Sequence, residues 1–302
     1  MTFPVKTFIS SILIIFLFLQ CQSDVPEKDP AYRAEIQEWQ QKRLASLKKE
    51  TGWLSLIGLH RLEPGENTIG SASDNAIVIE YDRVPARLGT FILEETGTAA
   101  FTSHSDVAVF HDSIQVDNVI AFSDSISPAV LSHKSISWFV IKRGDTYFVR
   151  MRDAENPAIS ALEKIDSYPI SESWRIKARL EPYDPPKSIP IDNVVGITSA
   201  VPCPGALVFE IDGESYRLDT IDADDQLWLI FADATSGYET YGAGRYLYVD
   251  KPDSSGITYI DFNKSYNPPC AFTEFATCPL PPLQNRLSAK ITAGEKSTGL
   301  YF

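Results

Sequence analysis

Twenty prolines and sixteen glycines punctuate this 302-residue chain, and between them the apolar residues come in short runs. Proline fixes φ and has no backbone N–H to give to a helix interior or a central strand. A chain broken this often does not build a bundle of long helices. It builds many short strands joined by turns. With 44% hydrophobic and 11% aromatic residues it also has the apolar surface that disordered segments lack. The length suits one large β domain or two of ordinary size.

The first residues read as an address rather than as part of the fold. Lys6 and the α-amine make a short positive start, residues 8–19 are apolar apart from Ser10 and Ser11, and Cys21 closes the run. About a dozen residues suit a secretory signal and fall short of the roughly 20 that span a bilayer. The segment Leu17-Phe18-Leu19-Gln20-Cys21 resembles a bacterial lipoprotein signal, in which the cysteine becomes the diacylated first residue of the mature protein. It departs from the usual box in having Phe18 where Leu is customary, and an ordinary signal peptide with a chance cysteine is the other reading. The favoured assignment is a signal peptide over residues 1–20 and a polar tether over 21–28, with lipidation, palmitate included, at Cys21. Such an anchor holds a soluble body beside a membrane without spanning it. The expected location is the cell envelope, periplasmic or surface-facing.

Charge narrows the partners. The chain carries −13, from 27 basic and 40 acidic residues, and losing residues 1–20 removes only Lys6, which leaves −14. A body this acidic is a poor nucleic-acid ligand and is repelled by anionic lipid, so the membrane is met through acyl chains.

Beyond the tether, Asp29-Pro30 opens a helix over 29–52, with Ile36, Trp39, Leu44 and Leu47 at near-helical spacing and Gly52 as its left-handed cap. A first β block over 53–165 has apolar or alternating runs at 53–59, 76–79, 90–93, 107–111, 136–141 and 147–151. Arg143-Gly144-Asp145 joins the last two as a hairpin turn, which accounts for that tripeptide without an adhesion role. Polar residues around Asn156-Pro157 form a seam. A second β block over 166–302 has runs at 174–180, 206–211, 215–218, 226–231, 245–249 and 257–262. A pause is expected at 181–186, Asp212-Gly213 signals a tight hairpin, and 267–286 forms a proline-rich loop. The expected fold is all-β: an N-terminal sandwich and a C-terminal antiparallel sheet or barrel, preceded by one amphipathic helix.

Two resemblances bear on this expectation. Thr68-Ile69-Gly70 followed by Asp74-Asn75-Ala76-Ile77-Val78-Ile79 resembles the opening of a forkhead-associated β-sandwich. Those modules place an Arg after the Gly and a Ser-Arg-x-x-His segment further on. Here Ser71 and Val84-Pro85-Ala86-Arg87 stand instead, so the cationic donors for a phosphopeptide are missing. The wider set is Trp53-Leu54-Ser55-Leu56-Ile57-Gly58-Leu59, Tyr241-Gly242-Ala243-Gly244-Arg245-Tyr246-Leu247 and Asp261-Phe262-Asn263-Lys264-Ser265-Tyr266-Asn267-Pro268-Pro269-Cys270. Ala271-Phe272-Thr273, Cys278-Pro279-Leu280-Pro281-Pro282, Asn285-Arg286-Leu287 and Ala293-Gly294-Glu295-Lys296 complete it. Together these resemble a bacterial family catalogued as number 1684 of the domains of unknown function, over nearly everything after the tether. The resemblance implies an exported bacterial setting and no particular activity.

Chemistry must therefore come from the residues. His60, His104, His111 and His133 all lie in the first block, and no Gly-x-Ser-x-Gly elbow exists for a serine nucleophile. The spacing of His104 and His111 fits no standard metal pair, and Asp219, Asp222, Asp224 and Asp225 lack the Gly and closing Glu of a calcium loop. No metal and no cofactor is expected. Cys270 and Cys278 have no CxxC partners, and in an oxidising compartment a disulfide between them is the favoured reading. Cys203, between two prolines, is the odd one left.

The second block gathers Glu239, Tyr241, Arg245, Asp261, Asn263, Tyr266, Asn267, Asn285 and Arg286 within or beside turns. One account makes them a network that staples the proline-rich loop to a sheet and satisfies buried backbone groups. The other makes them a pocket in which Arg245 or Arg286 grips a small anionic ligand, with Glu239 or Asp261 as acid or base. Two functions follow: an envelope lipoprotein that binds a small ligand or serves a structural role, or an exported carboxylate- and arginine-based hydrolase-like enzyme.

Overall fold

The computed structural model describes residues 29–299, so the signal, the tether and Cys21 lie outside the described residues. Helix α1 (Pro30–Leu47) begins where the sequence places it. The Asp29 carboxylate accepts the N–H groups of Ala31 and Tyr32, and Pro30 brings a preset φ with no donor to leave unpaired. Tyr32, Ile36 and Leu47 are buried. The helix stops at Leu47 with Lys48 as its cap, earlier than expected. Gly52 is not a left-handed cap: its φ is −74°, and glycine is needed there because a Cβ would strike the Leu47 carbonyl oxygen.

The first block holds β1 (Leu56–Leu62), β2 (Gly65–Gly70), β3 (Ile77–Val78), β4 (Gly89–Leu93), β5 (Ala99–Ser103), β6 (Phe110–His111), β7 (Ile114–Gln115), β8 (Asn118–Phe122), β9 (Leu131–His133), β10 (Ile136–Arg143) and β11 (Thr146–Asp153). They form a six-stranded sheet, β1-β11-β10-β9-β6-β7, and a five-stranded sheet, β3-β2-β4-β5-β8. The two share one core, in which Phe101 packs at 4.8 Å on Phe91 and at 5.5 Å on Trp138 between ring centroids. This is a sandwich, and the residues of the forkhead-associated resemblance supply β2 and the short parallel β3. Gly144, with φ 55°, turns the β10–β11 hairpin. Period-two alternation sends Trp138, Val140, Val149 and Met151 into the core and leaves Phe139, Arg150 and Arg152 on the opposite face.

The second block follows α2 (Pro157–Ala161). Strands β12 (Arg175–Asp192), β13 (Thr198–Ile211), β14 (Glu214–Asp219) and β18 (Ile257–Asp261) form a sheet in the order β14-β13-β12-β18. Strands β15 (Ile221–Ala223), β16 (Gln226–Phe231) and β17 (Arg245–Asp250) form another. Asp212 and Gly213 turn the β13–β14 hairpin with φ of 54° and 82°, as a type I′ turn requires. The expected pause at 181–186 is a register shift between Pro182 and Lys187 inside β12, after which pairing with β13 resumes. Prolines without N–H groups interrupt the ladder there without ending the strand. Strand β16 is sandwiched on both sides: Leu227, Leu229 and Phe231 join one core, Trp228 and Ile230 another.

A smaller cluster joins the blocks. Leu47 of α1, Leu54, and Ala271 and Phe272 of the proline-rich loop are buried together, with Trp53, Ile159 and Tyr241 against them. The loop itself is ordered by short 3₁₀ turns at Pro269–Ala271 and Leu283–Asn285.

Candidate functional site

The nine polar residues singled out in the second block are dispersed among several structural tasks. Arg245 is fully buried, donating to Asp233 at 3.3 Å and to the carbonyls of Ile291, Glu295 and Ala293. Asn285 bridges three backbone groups: it accepts from the Asp219 N–H at 2.8 Å and donates to the carbonyls of Asp219 and Ile230. Asn263 donates to the Ser171 carbonyl, the Tyr32 hydroxyl and Asp261, while Asp261 accepts the Tyr32 hydroxyl at 2.9 Å. The Asn267 N–H meets the buried Glu295 carboxylate at 2.7 Å. Glu239 is exposed and takes the Tyr168 hydroxyl and Lys290, and the Arg286 side chain is exposed. The Tyr241 hydroxyl donates to the Cys270 carbonyl at 3.0 Å. Tyr266 alone of the nine lines the cleft described below.

The expected disulfide is absent: Cys203, Cys270 and Cys278 are free thiols. The Cys270 N–H donates to the Cys278 sulfur at 3.0 Å. The loop is closed by hydroxyls instead, since Tyr241 holds the Cys270 carbonyl, Tyr246 the Pro279 carbonyl and Thr298 that of Ala271. A hydrogen bond from Cys278 holds the Cys270 thiol below its usual value, whereas that contact and burial push Cys278 up. His111 and His133 each place Nδ1 against a backbone carbonyl of a neighbouring segment. Burial lowers His60, whose Nε2 has no hydrogen-bond partner. Asp219 accepts from Tyr183 and Gln284, and Asp222 pairs with Lys251, so the acid run is divided. Among the described residues no group of three His, Cys, Asp or Glu could hold a metal ion.

A cleft of about 640 Å³ opens where α1 meets both blocks. Helix α1 contributes Trp39, Lys42, Arg43 and Ser46, and the first block contributes Trp53 and Arg143. The second block adds Trp228, Tyr246, Tyr248 and Tyr266, and its loop adds Pro269, Thr277, Cys278 and Pro279. The rings are ordered: Trp228 and Tyr248 stack at 6.1 Å and 18° between planes, and Tyr248 and Tyr266 at 6.2 Å and 17°. Strand pairing sets this up, because Trp228 and Tyr248 are cross-strand partners on β16 and β17. The Arg43 guanidinium lies 4.7 Å over Tyr266 and is tied to Glu295 and to the Asn267 carbonyl. Arg143 donates to Thr277. Burial holds the Tyr246 and Tyr266 phenols neutral, well above their usual range. No carboxylate and no imidazole is among the lining residues. Such a lining offers flat faces and positive charge, and it lacks the side chains that most often serve as general acid or base.

Motif reading reaches Trp53, Tyr246, Tyr266, Pro269, Cys278 and Pro279 but not their assembly with the rest of the cleft. Its residues come from four distant stretches, and Trp39, Arg43, Trp53, Arg143, Trp228 and Tyr248 stand in no spacing that marks chemistry. One signal was present: aromatic residues at alternate positions on 246–248 and at Trp228 fit a sheet face that carries rings.

Residues 160–296 match the family described as "Protein of unknown function (DUF1684)". Trp53-Leu54-Ser55-Leu56-Ile57-Gly58-Leu59 falls outside the matched span. No curated protein matches the chain. The solution NMR structure of an uncharacterized protein from Haloarcula marismortui is 26% identical over 47% of this chain and 80% of that one, with a TM-score of 0.40. A crystal structure of Rad53 residues 1–466 in complex with AMP-PNP is 9% identical over 72% of this chain and 50% of that one, with a TM-score of 0.17.

Proposed function

We propose that this chain, whose residues 160–296 carry a DUF1684 domain, is an exported, lipid-anchored binding protein of the cell envelope. Its cleft takes a small ligand that joins a flat ring to an anionic group. One observation carries this reading: in a chain of net charge −13 the cleft is lined by no carboxylate and by three cations, of which Lys42 and Arg43 pair with Glu38 and Glu295 outside the lining and Arg143 has no ion-pair partner among the described residues. The stacked Trp228, Tyr248 and Tyr266 rings supply a platform for the flat part. The contacts of the second-block residues favour binding over hydrolysis. Arg245 spends its guanidinium on Asp233 and three carbonyls, and Glu239 and Asp261 serve different partners.

A thermal-shift screen of small aromatic and aliphatic anions on the full-length protein tests the cleft. Ring-bearing anions are expected to raise the melting temperature of the wild type and not of Tyr248→Ala, a change at a half-exposed position. Equal shifts in both proteins, or no shift from any ring-bearing anion, would sink the reading. The anchor is tested separately by palmitate labelling, which should be lost in Cys21→Ala; label retained in that variant would refute lipidation at Cys21.

A further inference from the structure

The face of β10 and β11 turned away from the sandwich core gathers charge without a counter-ion. Arg150 and Arg152 alternate with core residues on β11, and the pairing of Arg150 with Phe139 and of Arg143 with Thr146 places Arg143 on the same face. Among the described residues, none of these three arginines has a carboxylate within ion-pair distance. Arg150 is only 5% exposed, and its Nε and Nη2 have no hydrogen-bond partner. The Arg152 Nε is likewise unpartnered. The Arg150 guanidinium lies 5.4 Å from the centre of the Trp53 ring, and both Trp53 and Arg143 line the cleft.

An unpaired buried cation is among the costliest arrangements a fold can hold. A lysine would escape by losing its proton, but a guanidinium does not. Burial, and then repulsion from Arg143 and Arg152, lower Arg150 only to about 10, so it stays charged at neutral pH. The other cations of the cleft are already answered, Arg43 by Glu295 and Lys42 by Glu38. What remains without a carboxylate is the arginine face, of which Arg143 lines the cleft and Arg150 lies behind Trp53.

We propose that Arg150, supported by the charges of Arg143 and Arg152, receives a phosphate-type oxyanion carried by the ligand of the cleft. This rests on the cleft being a ring-binding site, as argued above. Three uncompensated cations match a dianion better than the single charge of a carboxylate, and the guanidinium fork fits two phosphate oxygens at once.

Calorimetric titration of the full-length protein in detergent separates the two claims, with phenyl phosphate, benzoate and benzyl alcohol as probes. The wild type should bind phenyl phosphate about tenfold or more tighter than benzoate or benzyl alcohol. Arg150→Met should erase that advantage and leave benzyl alcohol binding unchanged. In phosphate-free buffer the same variant should melt at or above the wild-type temperature, because it removes a buried charge that has no carboxylate partner among the described residues. Arg150→Lys keeps the charge without the fork, so it should retain part of the advantage; it carries the test should the methionine variant fail to fold. Equal binding of phenyl phosphate and benzyl alcohol by the wild type, or an undiminished phosphate advantage in both variants, would overturn the phosphate site alone. Binding of none of the probes would overturn the ring-binding cleft as well.

Discussion

At the scale of single residues, the fold spends its buried charges in two ways. Arg245 and Asp233 are buried together, and Asp233 also accepts the Ile291 N–H at 2.7 Å, so this pair pins the C-terminal segment to the end of β16 and β17. Removing one partner strands the other: Arg245→Ala should cost about 3–5 kcal/mol of stability in urea unfolding. Asp153 gives a pH dependence. Burial alone would raise its carboxyl, but hydrogen bonds from Tyr81, the Glu155 N–H and Ser135, together with Arg83, outweigh it and hold the group below its usual value. A carboxyl depressed in the folded state adds stability above its unfolded value near 3.9, and that stability is lost as pH falls through the folded value. The urea midpoint of the wild type should therefore fall steeply below about pH 4, with Asp153→Asn already lower at neutral pH and less sensitive to acid. Arg150 is the opposite case, a buried charge whose Nε and Nη2 have no hydrogen-bond partner.

At the scale of elements, α1 is the piece that assembles the site. It docks through Ile36 and Leu47, and through the Tyr32 hydroxyl, which donates to Asp261 and accepts from Asn263. Tyr32→Phe leaves both partners short of a bond in a half-buried setting and should cost about 1–3 kcal/mol, read by chemical denaturation. The start of this helix was legible because Asp29-Pro30 is a local signal with a local cause. The same holds for the turns at Gly144 and at Asp212-Gly213, where positive φ demands particular residues. The long β12–β13 pairing was not legible, because Pro182, Pro185 and Pro186 read as a stop, and only the tertiary ladder resumes beyond them. The proline-rich loop was legible in the sequence, but the means that order it were not. Hydroxyl-to-carbonyl bonds close it, and no pattern in the sequence distinguishes them from a disulfide between Cys270 and Cys278.

At the scale of the whole molecule, two β blocks and one helix meet around a cleft that no single block contains. The matched family span covers the second block, yet Trp53, Arg143 and the arginine face behind them come from the first and Trp39 from the helix. The polar residues nearest the recognisable motifs mostly hold the structure together, and the cleft joins motif residues such as Trp53, Tyr246, Tyr266 and Cys278 to Trp39, Arg43, Arg143, Trp228 and Tyr248, which stand in no motif. In a chain of net charge −13 a positively lined cleft is conspicuous, since overall acids outnumber bases. The most direct measurement is a set of intermolecular NOEs between phenyl phosphate and the full-length protein. Contacts are expected from the phenyl protons to the rings of Trp228 and Tyr248 in the cleft. Binding with contacts elsewhere and none to those rings would show that the cleft is not the ring-binding site.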